Sequence, residues 1–112
     1  AKKSFREGNF KWATTQAYYS MFLSARAALY SKGYRDKKHN AHLCLSYFLK
    51  RLVELGFLKS VYANDFMVAM DLRDKANYDA VYGEDTAEKA IAFADEFIRQ
   101  MEMVIGRNDI KL

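Results

Sequence analysis

The stretch that decides the fold is residues 9–31, which read NFKWATTQAYYSMFLSARAALYS. After Lys11, its only charged residue is Arg26. Asn9 is a typical helix N-cap because its side chain can accept a hydrogen bond from the first turn. Gly33, just beyond the stretch, is typical of a helix end. We therefore predict a long helix over about Asn9–Ser31.

This helix carries apolar residues on nearly all of its sides. Two adjacent stripes at helical spacing contain Tyr18, Phe22, Ala25 and Leu29, and Phe10, Ala13, Ala17, Met21 and Ala28, while the opposite face contains Trp12, Tyr19, Leu23 and Tyr30. Such a helix is buried on most sides or crosses a membrane. Polar residues from Thr14 to Arg26 interrupt the apolar run, which argues against a membrane span. We predict a central bundle helix whose outer face meets a second subunit.

The remainder of the chain also favours helices. It has no proline and only five glycines, so chain breakers are few. We predict further helices over about Asn40–Leu55 and Asn64–Ala80, with Phe57–Ala63 as a connector. The predicted apolar stripe of the first of these helices, outside which His42 falls, contains Ala41, Leu45, Phe48, Leu52 and Leu55. A last helix begins with a capping box of Asp85 and Glu88 and ends at Gly106, before a polar tail. Its apolar stripe contains Ala87, Ala90, Ile91, Ala94, Phe97, Ile98, Met101, Val104 and Ile105.

The predicted fold class is therefore all-α, an up-down antiparallel bundle of four to five helices that forms a single domain over residues 1–112. The chain begins at Ala1 without a methionine, so residues 1–5 are a candidate for the end of a longer first helix. The one cysteine, Cys44, cannot form an intramolecular disulfide. Together with the lack of a recognisable signal peptide, this favours a cytoplasmic setting.

Charge is divided unevenly along the chain. Residues 1–59 hold twelve Lys/Arg and three Asp/Glu, whereas residues 60–112 hold six and eleven. The basic half could attract a polyanion such as RNA. The two halves could equally attract each other, within one chain or between two copies.

Arg73 is the most informative residue of the sequence. It lies three and four residues after Met70 and Ala69, within the apolar stripe of its predicted helix. Burying an unpaired guanidinium costs several kcal/mol, so Arg73 must pair with a carboxylate, extend to the edge of the apolar surface, or face a ligand or second subunit. Asp95 and Glu88 are candidates for an internal ion pair, and a phosphate is the candidate ligand.

Two other groups of residues are candidates for chemistry. The loop around Lys37 and Lys38 mixes cations with Tyr34, a pattern that can hold an RNA backbone and is also common in exposed loops. His39 and His42 are the only histidines, and no third ligand accompanies them. We interpret them as polar residues at a helix start and predict no metal site and no cofactor.

Two segments resemble a known family. The run Ala17-Tyr18-Tyr19-Ser20-Met21-Phe22, followed by Ala27-Ala28-Leu29 and Lys32-Gly33, is similar to the AYYAMFxxARALLxxKG stretch of prokaryotic HEPN domains associated with minimal nucleotidyltransferases. Leu72-Arg73-Asp74-Lys75-Ala76-Asn77-Tyr78-Asp79 is similar to their LRxKADYD signature. The resemblance covers about residues 5–105.

The resemblance implies a helical bundle that forms a homodimer and pairs with a small nucleotidyltransferase, often as a toxin–antitoxin pair. Toxic members cut RNA with an Arg-x(4–6)-His motif. Arg73 matches its arginine, but Tyr78, Asp79 and Ala80 stand where the histidine is expected, which argues against ribonuclease activity. Some members are adenylylated on a tyrosine just past the arginine, which makes Tyr78 and then Tyr82 the candidates here.

Three functions therefore remain open. The first is a binding module that engages nucleotide or RNA through Arg73, Asn77, Tyr78, Lys37 and Lys38. The second is a metal-independent endoribonuclease toxin with a degenerate motif, in which Arg73 and Tyr78 would be catalytic. The third is a purely structural interaction subunit.

Overall fold

The computed structural model describes residues 1–36, 39–78 and 83–112, and the side chains of all of these except 76–78. These residues form five helices and no strand. The helices are α1 (Lys2–Arg6), α2 (Phe10–Ser31), α3 (Ala41–Glu54), α4 (Ser60–Tyr78) and α5 (Glu84–Gly106). The predicted all-helical bundle is therefore confirmed.

Helix α2 is the central element, since it packs against each of the other four helices. Both of its predicted ends are confirmed. The Asn9 side chain accepts a hydrogen bond from the Trp12 backbone N–H at 3.3 Å, and Gly33 has a φ of +87° in the left-handed region. A glycine adopts that conformation without the steric cost that a β-carbon brings.

The core is a single cluster built by α2, α3, α4 and α5. Its largest fully buried side chains include Tyr18, Met21, Leu45, Leu49, Leu52, Phe66, Phe97 and Met101. The rings of Phe66 and Phe97 stack with centroids 5.5 Å apart and join α4 to α5. The predicted stripe of α5 is largely correct, because six of its members from Ala87 to Val104 are buried.

Helix α4 begins four residues earlier than the sequence predicted. The polar Asn64 was interpreted as a helix start, but it is an exposed residue inside the helix. The turn after α3 is short because Gly56, with φ +84°, reverses the chain quickly. Tyr62 and Ala63 can then pack against the core from helical positions.

The predicted capping box of α5 is wrong. The helix begins at Glu84, after Gly83 as N-cap, and no side chain caps it. Gly83 has extended backbone, and its carbonyl accepts from the Ala87 N–H at 3.3 Å. Asp85 therefore lies inside the first turn, where its negative charge interacts favourably with the positive end of the helix dipole but does not cap the helix. The tail was predicted to be polar, but its Ile110 is buried.

The outer face of α2 is uncovered in the single chain. Trp12, Tyr19 and Leu23 are 52%, 46% and 57% exposed, although all three are large apolar or aromatic residues. These three residues are called the α2 outer face below. Among the described residues, no helix combines the length and the apolar character needed to cross a membrane.

Candidate functional site

Arg73 projects from α4 onto the aromatic residues of α2. Its guanidinium carbon lies 5.0 Å from the ring centroid of Tyr18 and 6.0 Å from that of Tyr19. Its side chain is only 18% exposed. A cation over an aromatic face is attracted by the ring quadrupole, by about 0.5–2 kcal/mol depending on burial. Arg73 thus packs against an aromatic surface of α2.

The ion pair of Arg73 differs from the one predicted. Its Nε and Nη2 donate to Oδ1 of the adjacent Asp74 at 3.1 and 2.7 Å. Neither carboxylate predicted as its partner pairs with Arg73 in the described part of the chain: Asp95 pairs with Lys2 instead, and Glu88 is exposed. Burial alone would lower the pKa of Arg73, but the hydrogen bond and charge of Asp74 raise it overall. Arg73 is therefore a permanent cation.

Asp74 leaves Arg73 open to a ligand. The side chain of Asp74 is 51% exposed, so water screens its charge. A single carboxylate oxygen accepts both hydrogen bonds, and Arg73 Nη1 forms no hydrogen bond within the described part of the chain. A guanidinium has five N–H donors, so several remain for an incoming anion.

A hydrogen-bonded pair lies beside Arg73. The Tyr18 hydroxyl and His42 Nδ1 form a hydrogen bond between α2 and α3. The two rings also stack, with centroids 5.6 Å apart and planes at 20°. Tyr18 is fully buried, whereas His42 is partly exposed. His42 is therefore the member of the pair that a ligand can reach.

Burial, more than the neighbouring charges, keeps both groups of this pair neutral. Burial raises the pKa of the Tyr18 hydroxyl well above its ordinary value. Burial also lowers the pKa of His42; the Arg73 and Arg26 cations lower it further, while Asp74 opposes them. Because a free histidine has a pKa near 6.5, His42 is mostly neutral at pH 7.

A second arginine lies beside the aromatic row of α2, which consists of Tyr18 and Phe22. Tyr18, Phe22 and Arg26 follow one another at four-residue intervals on one face of α2. The Arg26 guanidinium carbon lies 4.8 Å from the Phe22 centroid, and its Nη2 donates to Asp36 at 2.9 Å. The His42 ring lies 4.7 Å from Phe22. The imidazole thus lies on the aromatic row between two arginines.

A family model described as the HEPN domain matches residues 1–104. The chain belongs to the HEPN domain family. It is 31% identical over 111 residues to a UPF0332 protein of Archaeoglobus fulgidus, covering 96% of this chain and 86% of that protein.

A second relative carries a functional name. The HEPN chain is 29% identical over 106 residues to a protein of Methanocaldococcus jannaschii named as a candidate toxin, covering 94% of this chain and 78% of that protein. No solved structure gives a significant match.

Several predicted site residues of this HEPN domain lie outside the described residues or side chains. Asn77 and Tyr78 lie in the last turn of α4, and their side chains are among those the structure leaves undescribed. Lys37, Lys38 and Tyr82 lie outside the described residues. Arg73 is thus the one predicted binding residue whose surroundings are known.

His42 is the functional candidate that sequence reasoning missed. It was interpreted as a polar residue at a helix start, outside the apolar stripe of α3. However, it precedes Leu45, Leu49 and Leu52 by three, seven and ten residues, and all three are buried. That spacing places His42 on the inner face of α3 and could have identified it.

The two remaining expectations concern metals and the basic loop. In the described part of the chain, no three His, Cys, Asp or Glu side chains come together in a way that could hold a metal ion. In the loop, Arg35 Nη1 donates to the Tyr34 carbonyl at 2.7 Å, and its guanidinium carbon lies 4.5 Å from the Tyr30 centroid. Arg35 therefore packs against its own loop and the last turn of α2.

Proposed function

We propose that this HEPN domain is a binding module that holds the phosphate group of a nucleotide or RNA at Arg73. The observation that carries the proposal is a cation 18% exposed on an aromatic surface, whose only carboxylate partner among the described residues is the exposed Asp74. A phosphate can form several charge-assisted hydrogen bonds with such a guanidinium. The nearby His42 and Arg26 add to the polar character of the site.

The test compares two arginines that differ in burial. Arg73→Ala removes the proposed ligand contact, while Arg99→Ala removes an exposed arginine that pairs with Glu96 at 3.0 Å. Both variants lose one positive charge. A hydrogen bond to a charged group contributes about 1.5–3 kcal/mol, so Arg73→Ala should weaken binding by roughly 10- to 100-fold.

Binding of adenosine monophosphate and of a short single-stranded RNA is measured by calorimetry at fixed salt concentration. Circular dichroism checks that both variants remain folded. Equal affinity of wild type and Arg73→Ala would show that Arg73 does not bind the ligand. An equal loss in both variants would indicate general charge attraction instead of a site.

We further propose that the domain forms a homodimer through the α2 outer face. Trp12, Tyr19 and Leu23 form an exposed apolar surface, and such surfaces are common at interfaces. Tyr19 also contacts Arg73, so this interface would adjoin the phosphate site. Leu23→Asp should give a monomer by light scattering, whereas Leu43→Asp, at an exposed position of α3, should not. A monomeric wild type would contradict the proposal.

The partner proposed for this dimer is a minimal nucleotidyltransferase in a toxin–antitoxin-type pair. The basis is the HEPN resemblance together with the candidate-toxin name of the Methanocaldococcus relative. In such a pair, a tyrosine hydroxyl attacks the α-phosphate of ATP, forming a phosphodiester and releasing pyrophosphate. Tyr78 is the first candidate acceptor and Tyr82 the second. We place the pair in the cytoplasm.

Co-expression with the nucleotidyltransferase encoded beside this gene tests the pairing. A stable complex is expected on size exclusion, with an adenylyl mass increase that Tyr78→Phe removes. If the increase survives in Tyr78→Phe and disappears in Tyr82→Phe, Tyr82 is the acceptor. Absence of both a complex and a mass increase would contradict the pairing. A complex that forms without binding any nucleotide or RNA would support a purely structural subunit.

A ribonuclease toxin is the second candidate function. The observation that favours it is a histidine, His42, whose ring stacks on Tyr18 beside the Arg73 guanidinium. Growth arrest and RNA cleavage that are lost in Arg73→Ala would support this function. If RNA stays intact after incubation with pure wild-type protein under conditions where it binds, ribonuclease activity is excluded and the binding module is supported.

A further inference from the structure

The Tyr18–His42 hydrogen bond raises the question of which atom carries the proton. A tyrosine hydroxyl has one proton to donate, and a neutral imidazole has one nitrogen with a proton and one without. Two arrangements are therefore available. Either the Tyr18 hydroxyl donates to Nδ1, or Nδ1–H donates to the Tyr18 oxygen.

Burial of the phenol decides between them. Tyr18 is fully buried, and its hydroxyl has no other hydrogen-bond partner among the described residues. If Nδ1–H were the donor, the phenolic proton would be left without an acceptor, at a cost of about 1–3 kcal/mol. If the hydroxyl is the donor, its proton is satisfied. The arrangement in which the Tyr18 hydroxyl donates to Nδ1 is therefore the stable one.

The proton of the imidazole then lies on Nε2. A neutral His42 whose Nδ1 accepts from Tyr18 must carry its hydrogen on the other nitrogen. Nε2 forms no hydrogen bond with any other described residue, and it is not shielded from solvent. Nε2–H is thus a donor that solvent or a ligand can reach.

Three elements bring this donor and Arg73 to one place. Tyr18 on α2 contacts both the Arg73 guanidinium from α4 and the His42 ring from α3. We propose that His42 is a second ligand-binding residue of the Arg73 site, in which Tyr18 fixes the imidazole as its Nε2–H tautomer and Nε2–H donates to a phosphate oxygen. The donor role rests on the proposed function, whereas the tautomer does not.

The tautomer has a consequence for chemistry. An imidazole nitrogen that already carries a proton cannot remove another from a ribose hydroxyl, and the only unprotonated nitrogen accepts from Tyr18. His42 in this form binds an anion instead of acting as a general base. The site is therefore built to hold a phosphate.

The tautomer is tested without any ligand. Long-range ¹H–¹⁵N spectra of protein labelled at histidine distinguish Nδ1–H from Nε2–H, and His39→Gln assigns the two sets of signals. We expect His42 in the Nε2–H form at neutral pH in wild type, and a mixture of forms in Tyr18→Phe. An Nδ1–H tautomer in wild type would overturn the proposal.

The donor role is tested with adenosine monophosphate and inorganic phosphate as probes. His42→Phe keeps the aromatic packing but removes the donor, so it should weaken binding by roughly 10-fold or more. His42→Gln, which retains an N–H donor, should recover part of this loss, and the exposed His39→Gln should have no effect. Arg73→Ala is measured in parallel.

The outcomes separate this inference from the proposed function. If Arg73→Ala weakens binding and His42→Phe does not, the donor role of His42 is wrong while the Arg73 site stands. If wild type binds neither of these probes nor the single-stranded RNA, the proposed function fails, and the donor role fails with it. The spectra then still decide whether Tyr18 fixes the tautomer.

Discussion

Tyr18→Phe removes one oxygen atom from the centre of the site and leaves the ring in place. The Tyr18 ring contacts Phe22, Phe66 and Arg73, and a phenylalanine preserves each of these contacts. The variant loses only the hydroxyl and its hydrogen bond to His42. Any change in stability therefore reports on that bond.

The size of the effect follows from burial. A hydrogen bond between neutral groups contributes about 1 kcal/mol net, and leaving a buried acceptor unsatisfied costs about 1–3 kcal/mol. Nδ1 of the partly exposed His42 could recover part of this loss by bonding to water. We therefore expect the free energy of unfolding to fall by about 1–2 kcal/mol, equivalent to roughly 5 °C in melting temperature per kcal/mol.

Urea denaturation at pH 7 measures this loss, with Tyr47→Phe as the matched control. Tyr47 lies on α3 and is exposed, so its hydroxyl should contribute little. A double-mutant cycle with His42→Phe isolates the pair, and we expect a coupling free energy of about 1 kcal/mol. If Tyr18→Phe is as stable as Tyr47→Phe and the coupling free energy is zero, the hydrogen bond and the tautomer that depends on it are refuted.

Three further predictions concern the fold and its pH dependence. Phe97→Ala should lower the free energy of unfolding by about 3–5 kcal/mol, because it empties a fully buried position, whereas the exposed Ile105→Ala should cost far less in the same urea assay. Asn9→Ala should cost about 1 kcal/mol through loss of the cap on α2, with Asn108→Ala in the tail as the unaffected control by thermal melting. Because the pKa of folded His42 is lowered, the unfolded state binds more protons below about pH 6.5, so stability should fall on acidification from there towards the folded pKa, and His42→Phe should remove this part of the slope in urea titrations.

Patterns within one helix were predictable from the sequence. The extent of α2 followed from its apolar spacing, its N-cap Asn9 and the glycine at position 33. The buried stripe of α5 followed in the same way. The start of α4 did not, because Asn64 has the residue type of an N-cap while packing of Tyr62 extends the helix beyond it. Local propensity was overridden there by tertiary contacts.

Contacts between helices were less predictable. The stripe of α4 located Arg73, since a cation at an apolar position must be compensated wherever its helix packs. The identity of the compensating groups depends on how the neighbouring helices are rotated, which the sequence of α4 does not contain. Asp95 was therefore the wrong partner, and the aromatic surface of Tyr18 and Tyr19 was not anticipated.

The way Arg73 is compensated bears directly on function. A buried carboxylate would neutralise the guanidinium and occupy its donors, and an anionic ligand would then have to displace it. Aromatic rings attract the cation without accepting its N–H hydrogen bonds in the way a carboxylate does. The Tyr18 and Tyr19 rings thus hold the guanidinium at the surface of the bundle, and the exposed Asp74 is only a weak competitor for its donors. Because these contacts link α2 to α4 and the Tyr18–His42 bond links α2 to α3, the site forms only when the bundle is folded, so a bound phosphate should stabilise the bundle as a whole.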